Sequence, residues 1–153
     1  MRIISNSSSE TIQIAKRLTK YLVKGDSLAL VGPLGCGKTV FAKGIASGFG
    51  FNQDKVTSSS FVLMQRYKTK KVDIYHLDLY RINSKNDLYG IGYDEVFSSG
   101  GLIIIEWPSI IKGFLPKGYV EIRFKILSSN KRLLDINTTN IRIKRMLGKI
   151  NKT

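Results

Sequence analysis

Residues 32–39 read Gly32-Pro33-Leu34-Gly35-Cys36-Gly37-Lys38-Thr39, a complete G-x-x-x-x-G-K-T stretch. It lies between an apolar run suited to a buried strand, residues 27–31, and a segment suited to a helix, residues 40–46. Little else in the chain constrains its fold as tightly. Glycines at fixed positions let the backbone curl so that its N–H groups converge on phosphate oxygens. Lys38 can reach the β- and γ-phosphates, and Thr39 offers a hydroxyl to Mg²⁺. The N-terminus of the following helix presents its positive dipole end to the same phosphates. A strand, this loop and a helix in succession imply an α/β fold with a nucleotide triphosphate site.

The chain has 153 residues, 42% of them hydrophobic, enough for one domain with a real core. Residues 1–139 read as that domain and residues 140–153 as a basic terminal helix or tail. No run approaches the roughly 18–20 apolar residues of a membrane span. The N-terminus lacks the apolar stretch of a secretory signal. A single cysteine, Cys36, excludes an intrachain disulfide framework. These features together point to a cytoplasmic protein with no membrane partner. The formal net charge of +14 has two readings: a polyanionic partner such as RNA, or lysine-rich solvated faces in a compositionally biased chain. The basic residues are scattered, with a mild concentration at Arg142, Lys144, Arg145, Lys149 and Lys152, and no aromatic residues interleave them.

Ser7-Ser8-Ser9-Glu10 matches a capping box before a helix over residues 11–23, with Ile12, Ala15, Leu18 and Leu22 on one face. Residues 61–67 and 72–79 read as strands joined in a hairpin by a short lysine-rich link, and residues 119–126 and 132–137 as a second hairpin. Residues 84–97 read as irregular to helical, and 102–105 as a buried strand. The two hairpins make the expected sheet mixed rather than purely parallel.

Phosphoryl chemistry needs an acid for Mg²⁺ and a group that orients the nucleophile. Two acids end apolar strand-like runs. Leu102-Ile103-Ile104-Ile105-Glu106 fits the Walker B pattern, and Ile74-Tyr75-His76-Leu77-Asp78 is the other. In open α/β sheets, ligands sit at the carboxyl ends of strands, so both acids are candidates. Thr57-Ser58-Ser59-Ser60 offers hydroxyls where a γ-phosphate sensor can lie, and from the sequence alone reads slightly better as a polar surface loop. His76, the only histidine, reads as a packed, hydrogen-bonded residue rather than a catalyst. Cys36 lies next to a helix N-terminus, which predicts a lowered thiol pKa and a reactive thiol that bound nucleotide protects. The N-K-x-D tetrad of guanine recognition is absent, which favours ATP over GTP.

The loop at 32–39, Ser58-Ser59-Ser60-Phe61, Tyr75-His76-Leu77-Asp78-Leu79-Tyr80-Arg81 and Glu106-Trp107-Pro108 occur in the order and spacing of the YjeE/TsaE family, and the chain resembles that family over most of its length. The H-x-D-L-Y-R and E-W-P elements are specific to it; the loop is not. The family consists of small bacterial P-loop ATPases that support N6-threonylcarbamoyladenosine modification of tRNA. The resemblance implies a P-loop NTPase three-layer sandwich with a mixed, mostly parallel sheet and hairpin insertions. It implies ATP and Mg²⁺ as cofactors. Lys38 and the backbone of Gly32, Leu34, Gly35, Cys36, Gly37 and Thr39 would bind phosphates. Thr39 and Glu106 would form the Mg²⁺ pair. Asp78 would serve hydrolysis by positioning water, and Ser60 would supply the switch hydroxyl. Trp107 and Arg132 would lie near the nucleotide, with residues 8–11 close to adenine.

The implied partners are the transferase TsaD and its companion TsaB, with tRNA engaged only indirectly and the ATPase slow without them. Three loop positions depart from the family's G-D-L-G-A-G-K-T-T. Pro33 and Cys36 stand at variable sites, and Val40 removes a hydroxyl near the α-phosphate. Ser59 replaces the proline of S-P-T-[FY]. Two other classes stand beside this reading: a small metabolite kinase, for which no Arg-rich lid is evident, and a basic RNA-binding protein with a regulatory nucleotide site.

Overall fold

A computed structural model describes residues 1–57 and 63–150, the side chains of 149 and 150 excepted. In chain order the elements are β1 (Arg2–Ser5), α1 (Ser8–Leu18), β2 (Ser27–Val31), α2 (Lys38–Gly48), β3 (Met64–Tyr67), β4 (Ile74–Asp78), α3 (Lys85–Gly90), α4 (Tyr93–Ser98), β5 (Leu102–Glu106), β6 (Val120–Ile126), β7 (Arg132–Thr138) and α5 (Ile141–Ile150). Short 3-10 turns occupy Thr19–Tyr21, Gln53–Lys55 and Pro108–Phe114.

The strands form one sheet in the order β1-β7-β6-β2-β5-β4-β3. The central strands β6, β2, β5 and β4 pair in parallel, whereas β3 and β7 run antiparallel to their neighbours. Both expected hairpins are present, as β3–β4 and β6–β7. The sheet is therefore mixed and mostly parallel, with the strand that feeds the phosphate-loop sequence at its centre.

Strand side chains alternate between faces, and two apolar clusters result. Leu28, Leu30, Ile104, Ile122 and Ile136 face α1, α2 and α5, while Leu77, Ile103 and Ile105 face α3, α4 and the Pro108–Phe114 turn. The second layer covers only part of its face. On β6 the residues of that face, Glu121, Arg123 and Lys125, are polar, and Glu121 pairs with Arg123 and with Lys112 instead of packing under a helix.

Helix α1 begins as expected: the Ser7 side chain accepts the Glu10 N–H at 3.0 Å. The return arm differs from a capping box. Glu10 Oε2 accepts from the Asn6 backbone N–H at 2.7 Å and from Asn6 Nδ2 at 3.0 Å, one residue earlier than Ser7. The buried face runs through Thr11, Ile14, Ala15 and Leu18, with Ile12 at its margin. Thr11 turns inward because its hydroxyl meets Ser5 Oγ at 2.7 Å, and the last expected turn tightens into Thr19–Tyr21. Gly44 on α2 allows close approach to α1, because a Cβ there would lie 2.5 Å from Ala15 Cβ. The basic terminal segment is a helix, α5. It inserts Ile143 and Leu147 into the first cluster, and Arg142 pairs with both Asp26 carboxylate oxygens at 2.7 Å. No helix among the described residues is long and apolar enough to cross a membrane.

Candidate active site

Parallel pairing brings the carboxyl ends of β2, β4 and β5 side by side, and the 32–37 loop leaves β2 at that edge. Gly37 holds left-handed backbone, φ 105°, at the N-cap of α2 and supplies no capping side chain. The first N–H groups of α2 are thus left for a ligand. Gly32 is required by contact: a Cβ there would lie 2.7 Å from Cys36 Sγ and 3.0 Å from the Phe124 carbonyl oxygen.

Above this loop opens a cleft of about 350 Å³ whose walls include Leu34, Lys38, Thr39, Asp78, Glu106 and Trp107. Asp78 and Glu106 are register partners on adjacent parallel strands, so both acids meet in it. Asp78 Oδ1 accepts the Tyr80 N–H at 3.1 Å. The Thr39 hydroxyl donates to Glu106 Oε1 at 2.9 Å across 67 residues of sequence. Both are oxygen donors, the kind a hard divalent cation takes.

Lys38 is 5% exposed. Its ammonium donates to the carbonyls of Gly32 at 2.9 Å and Pro33 at 3.0 Å, and stands 4.0 Å from the Trp107 ring centroid. Trp107 is the only non-glycine residue with positive φ among the described residues, at 57°. That conformation costs a bulky residue roughly 1–3 kcal/mol. It turns the chain sharply from β5 into Pro108 and lays the indole over Lys38, with the Tyr80 ring 4.9 Å away.

Arg132 lies on the far side of the loop. Its Nε donates to the Cys36 carbonyl at 3.2 Å, and NH1 binds carbonyls of its own hairpin, among them Ser128 at 2.9 Å. With Ser8, Thr11, Gly35 and Val40 it lines a smaller cleft of about 90 Å³. Val40 borders both clefts, so the hydroxyl missing at this position is missing at their junction. Ser60, with the rest of Ser58-Ser59-Ser60-Phe61, lies outside the described residues.

The expectation for Cys36 is reversed. Its thiol is fully buried beneath the loop rather than exposed at the helix end. Desolvation raises its pKa, and the nearby Lys38 charge only partly opposes this. A raised pKa leaves less thiolate at neutral pH, and thiolate is the reactive form. We expect iodoacetamide at pH 7.5 to label Cys36 at least about tenfold more slowly in the folded protein than in urea, with or without ATP. Equal rates in the two states would contradict this assignment.

His76 is fully buried and hydrogen-bonded on both ring nitrogens, in keeping with its sequence reading, but one of its partners is Glu106. Sequence reasoning missed Tyr67 and Gln65, which lie behind it. The available signal was period-2 alternation in the two strands of one hairpin, which puts Gln65 and Tyr67 on one face of β3 and His76 on one face of β4, with Gln65 and His76 as register partners.

The family model described as threonylcarbamoyl adenosine biosynthesis protein TsaE matches residues 5–134. A Rickettsia prowazekii protein named tRNA threonylcarbamoyladenosine biosynthesis protein TsaE is 42% identical over 135 residues, spanning 88% of this chain and 93% of the relative. A Bacillus subtilis protein of the same name is 31% identical over 143 residues, spanning 94% and 89%. The crystal structure of Bacillus subtilis YdiB superposes with a TM-score of 0.79 at 28% identity, covering 99% of this chain and 94% of that one. The chain belongs to the TsaE family of threonylcarbamoyl adenosine biosynthesis proteins.

Proposed function

We propose that this protein is a Mg²⁺-dependent ATPase that acts in the N6-threonylcarbamoyladenosine modification of tRNA, hydrolysing ATP to keep a TsaD–TsaB transferase complex cycling. The observation that carries the reading is the convergence of Lys38, Thr39, Asp78 and Glu106 on one cleft at the mouth of a glycine-rich loop. In this reading Lys38 leaves its own loop carbonyls for the β- and γ-phosphates, and the α2 N-terminal amides bind the same anion. Thr39 and Glu106 would hold Mg²⁺, which when bound neutralises phosphate charge. The oxygen-only pair and its 2.9 Å hydrogen bond suit that ion. Asp78 would orient the attacking water.

The cleft is lined in part by exposed Leu34 and Tyr80, so a partner that covers it would exclude water and complete the site. The test is steady-state ATP hydrolysis with and without the purified transferase complex. A rise of about tenfold or more on adding the complex is expected. An unchanged rate would overturn partner dependence. Phosphorylated product from a metabolite panel would favour a kinase instead, and tight tRNA binding with a steep salt dependence in the absence of partners would favour an RNA-binding protein.

A further inference from the structure

The proposed reading leaves one buried polar cluster unused. His76 and Glu106 sit 30 residues apart on adjacent strands, with imidazole Nε2 2.9 Å from carboxylate Oε1. That oxygen also receives the Thr39 hydroxyl. A carboxylate only accepts, so His76 Nε2–H donates to it. The other ring nitrogen, Nδ1, meets the Tyr67 hydroxyl at 2.9 Å. The same hydroxyl lies 2.6 Å from the Gln65 amide oxygen, and the Gln65 amide nitrogen donates to Thr57 Oγ1 at 2.9 Å. The Tyr67 ring is clamped by Phe51, centroid to centroid 4.8 Å. Burial and the charge of Glu106 both raise the Tyr67 pKa, so the phenol keeps its proton.

This arrangement does more than satisfy buried polar groups. A single unbranched carboxylate at a strand end can swing about its χ angles, and a hydrogen bond from Thr39 alone leaves it a hinge. A second donor to the same oxygen, from a strand 30 residues away and on a ring that cannot rotate without leaving Tyr67, removes that freedom. We propose that His76 is a positioning residue that holds the Glu106 carboxylate against Thr39, and that Tyr67 holds His76 in turn. The proposal rests on the reading of Thr39 and Glu106 as the Mg²⁺ pair. Groups behind metal ligands typically change metal affinity or activity about 10- to 100-fold when removed.

The readout is the Mg²⁺ enhancement of ATP affinity, the ratio of Kd without and with Mg²⁺, measured by calorimetry without turnover. His76→Gln places an amide donor near the Nε2 position and is expected to keep the enhancement within about threefold. His76→Asn places its donor near Nδ1, toward Tyr67, and is expected to lose about tenfold or more of the enhancement while Mg²⁺-free affinity changes little. A purely structural histidine would show no such split between two amides of similar polarity. Tyr67→Phe deletes one hydroxyl and nothing else, and is expected to reduce the enhancement about threefold or more. If His76→Asn fails to fold, Tyr67→Phe decides: an unchanged enhancement overturns the proposal. Wild-type enhancement with no difference between the Gln and Asn variants also overturns it. Absence of any enhancement in the wild type would instead sink the Mg²⁺ reading of Thr39 and Glu106, and this proposal with it.

Discussion

Lys38→Ala is expected to weaken ATP binding by about 140- to 700-fold. The estimate follows from two charge-assisted hydrogen bonds to phosphate at about 1.5–2 kcal/mol each, with tenfold per 1.4 kcal/mol. The side chain starts from a defined place. It is nearly buried, donates to two carbonyls of its own loop, and lies over Trp107. Moving it to phosphate would exchange those carbonyls for stronger, charged acceptors, so the expected gain is smaller than for a lysine taken from water. Isothermal calorimetry with ATP is the appropriate measurement, because the substitution removes a cation from the Trp107 ring and alters fluorescence on its own. Circular dichroism must show an intact fold, since the Gly32 and Pro33 carbonyls lose their donor. An affinity within threefold of wild type would contradict the role of the loop.

Asp78→Asn is expected to separate binding from chemistry. ATP affinity should stay within about threefold, while hydrolysis in the presence of the transferase complex falls by about 100- to 10,000-fold, the usual range for loss of a proton-accepting group. Asparagine keeps the volume and the carbonyl-type acceptor that receives the Tyr80 N–H, so the turn after β4 should survive. What it loses is the charge and the ability to take a proton. Glu106 stands beside Asp78 in register, yet its bonded oxygen is committed to Thr39 and His76. The two acids are therefore expected to have different phenotypes: Glu106→Gln should impair Mg²⁺-dependent binding before it impairs the chemical step. Single-turnover hydrolysis at saturating ATP distinguishes them. Normal turnover by Asp78→Asn with the complex present would remove Asp78 from the mechanism, and swapped phenotypes would reverse the two assignments.

Much of this site can be read from local pattern. The glycine spacing of the loop, the apolar run before it and the helix after it are set by a few consecutive residues whose backbone preferences are intrinsic. The two acids can be found because each ends an apolar run. Cys36 shows where such reading fails. Its neighbours in sequence suggest a thiol at a helix end, but the direction of its side chain is decided by Gly32 and by the core beneath the loop. The helix face through Ile14 rather than Ile12 fails for a similar reason, because a hydroxyl contact to Ser5 turns Thr11 inward.

The sequence by itself determined an α/β chain with a phosphate-type loop, two hairpins and two strand-end acids, because periodicity and turn chemistry act over a few residues. Only the tertiary structure decided that the Thr39 hydroxyl bonds the Glu106 carboxylate directly, that the lone histidine stands behind that acid, and that Tyr67 stands behind the histidine. Those contacts join residues 67, 30 and 9 positions apart. Their existence depends on the register of β3, β4 and β5, which is set by packing of the whole sheet rather than by any local run.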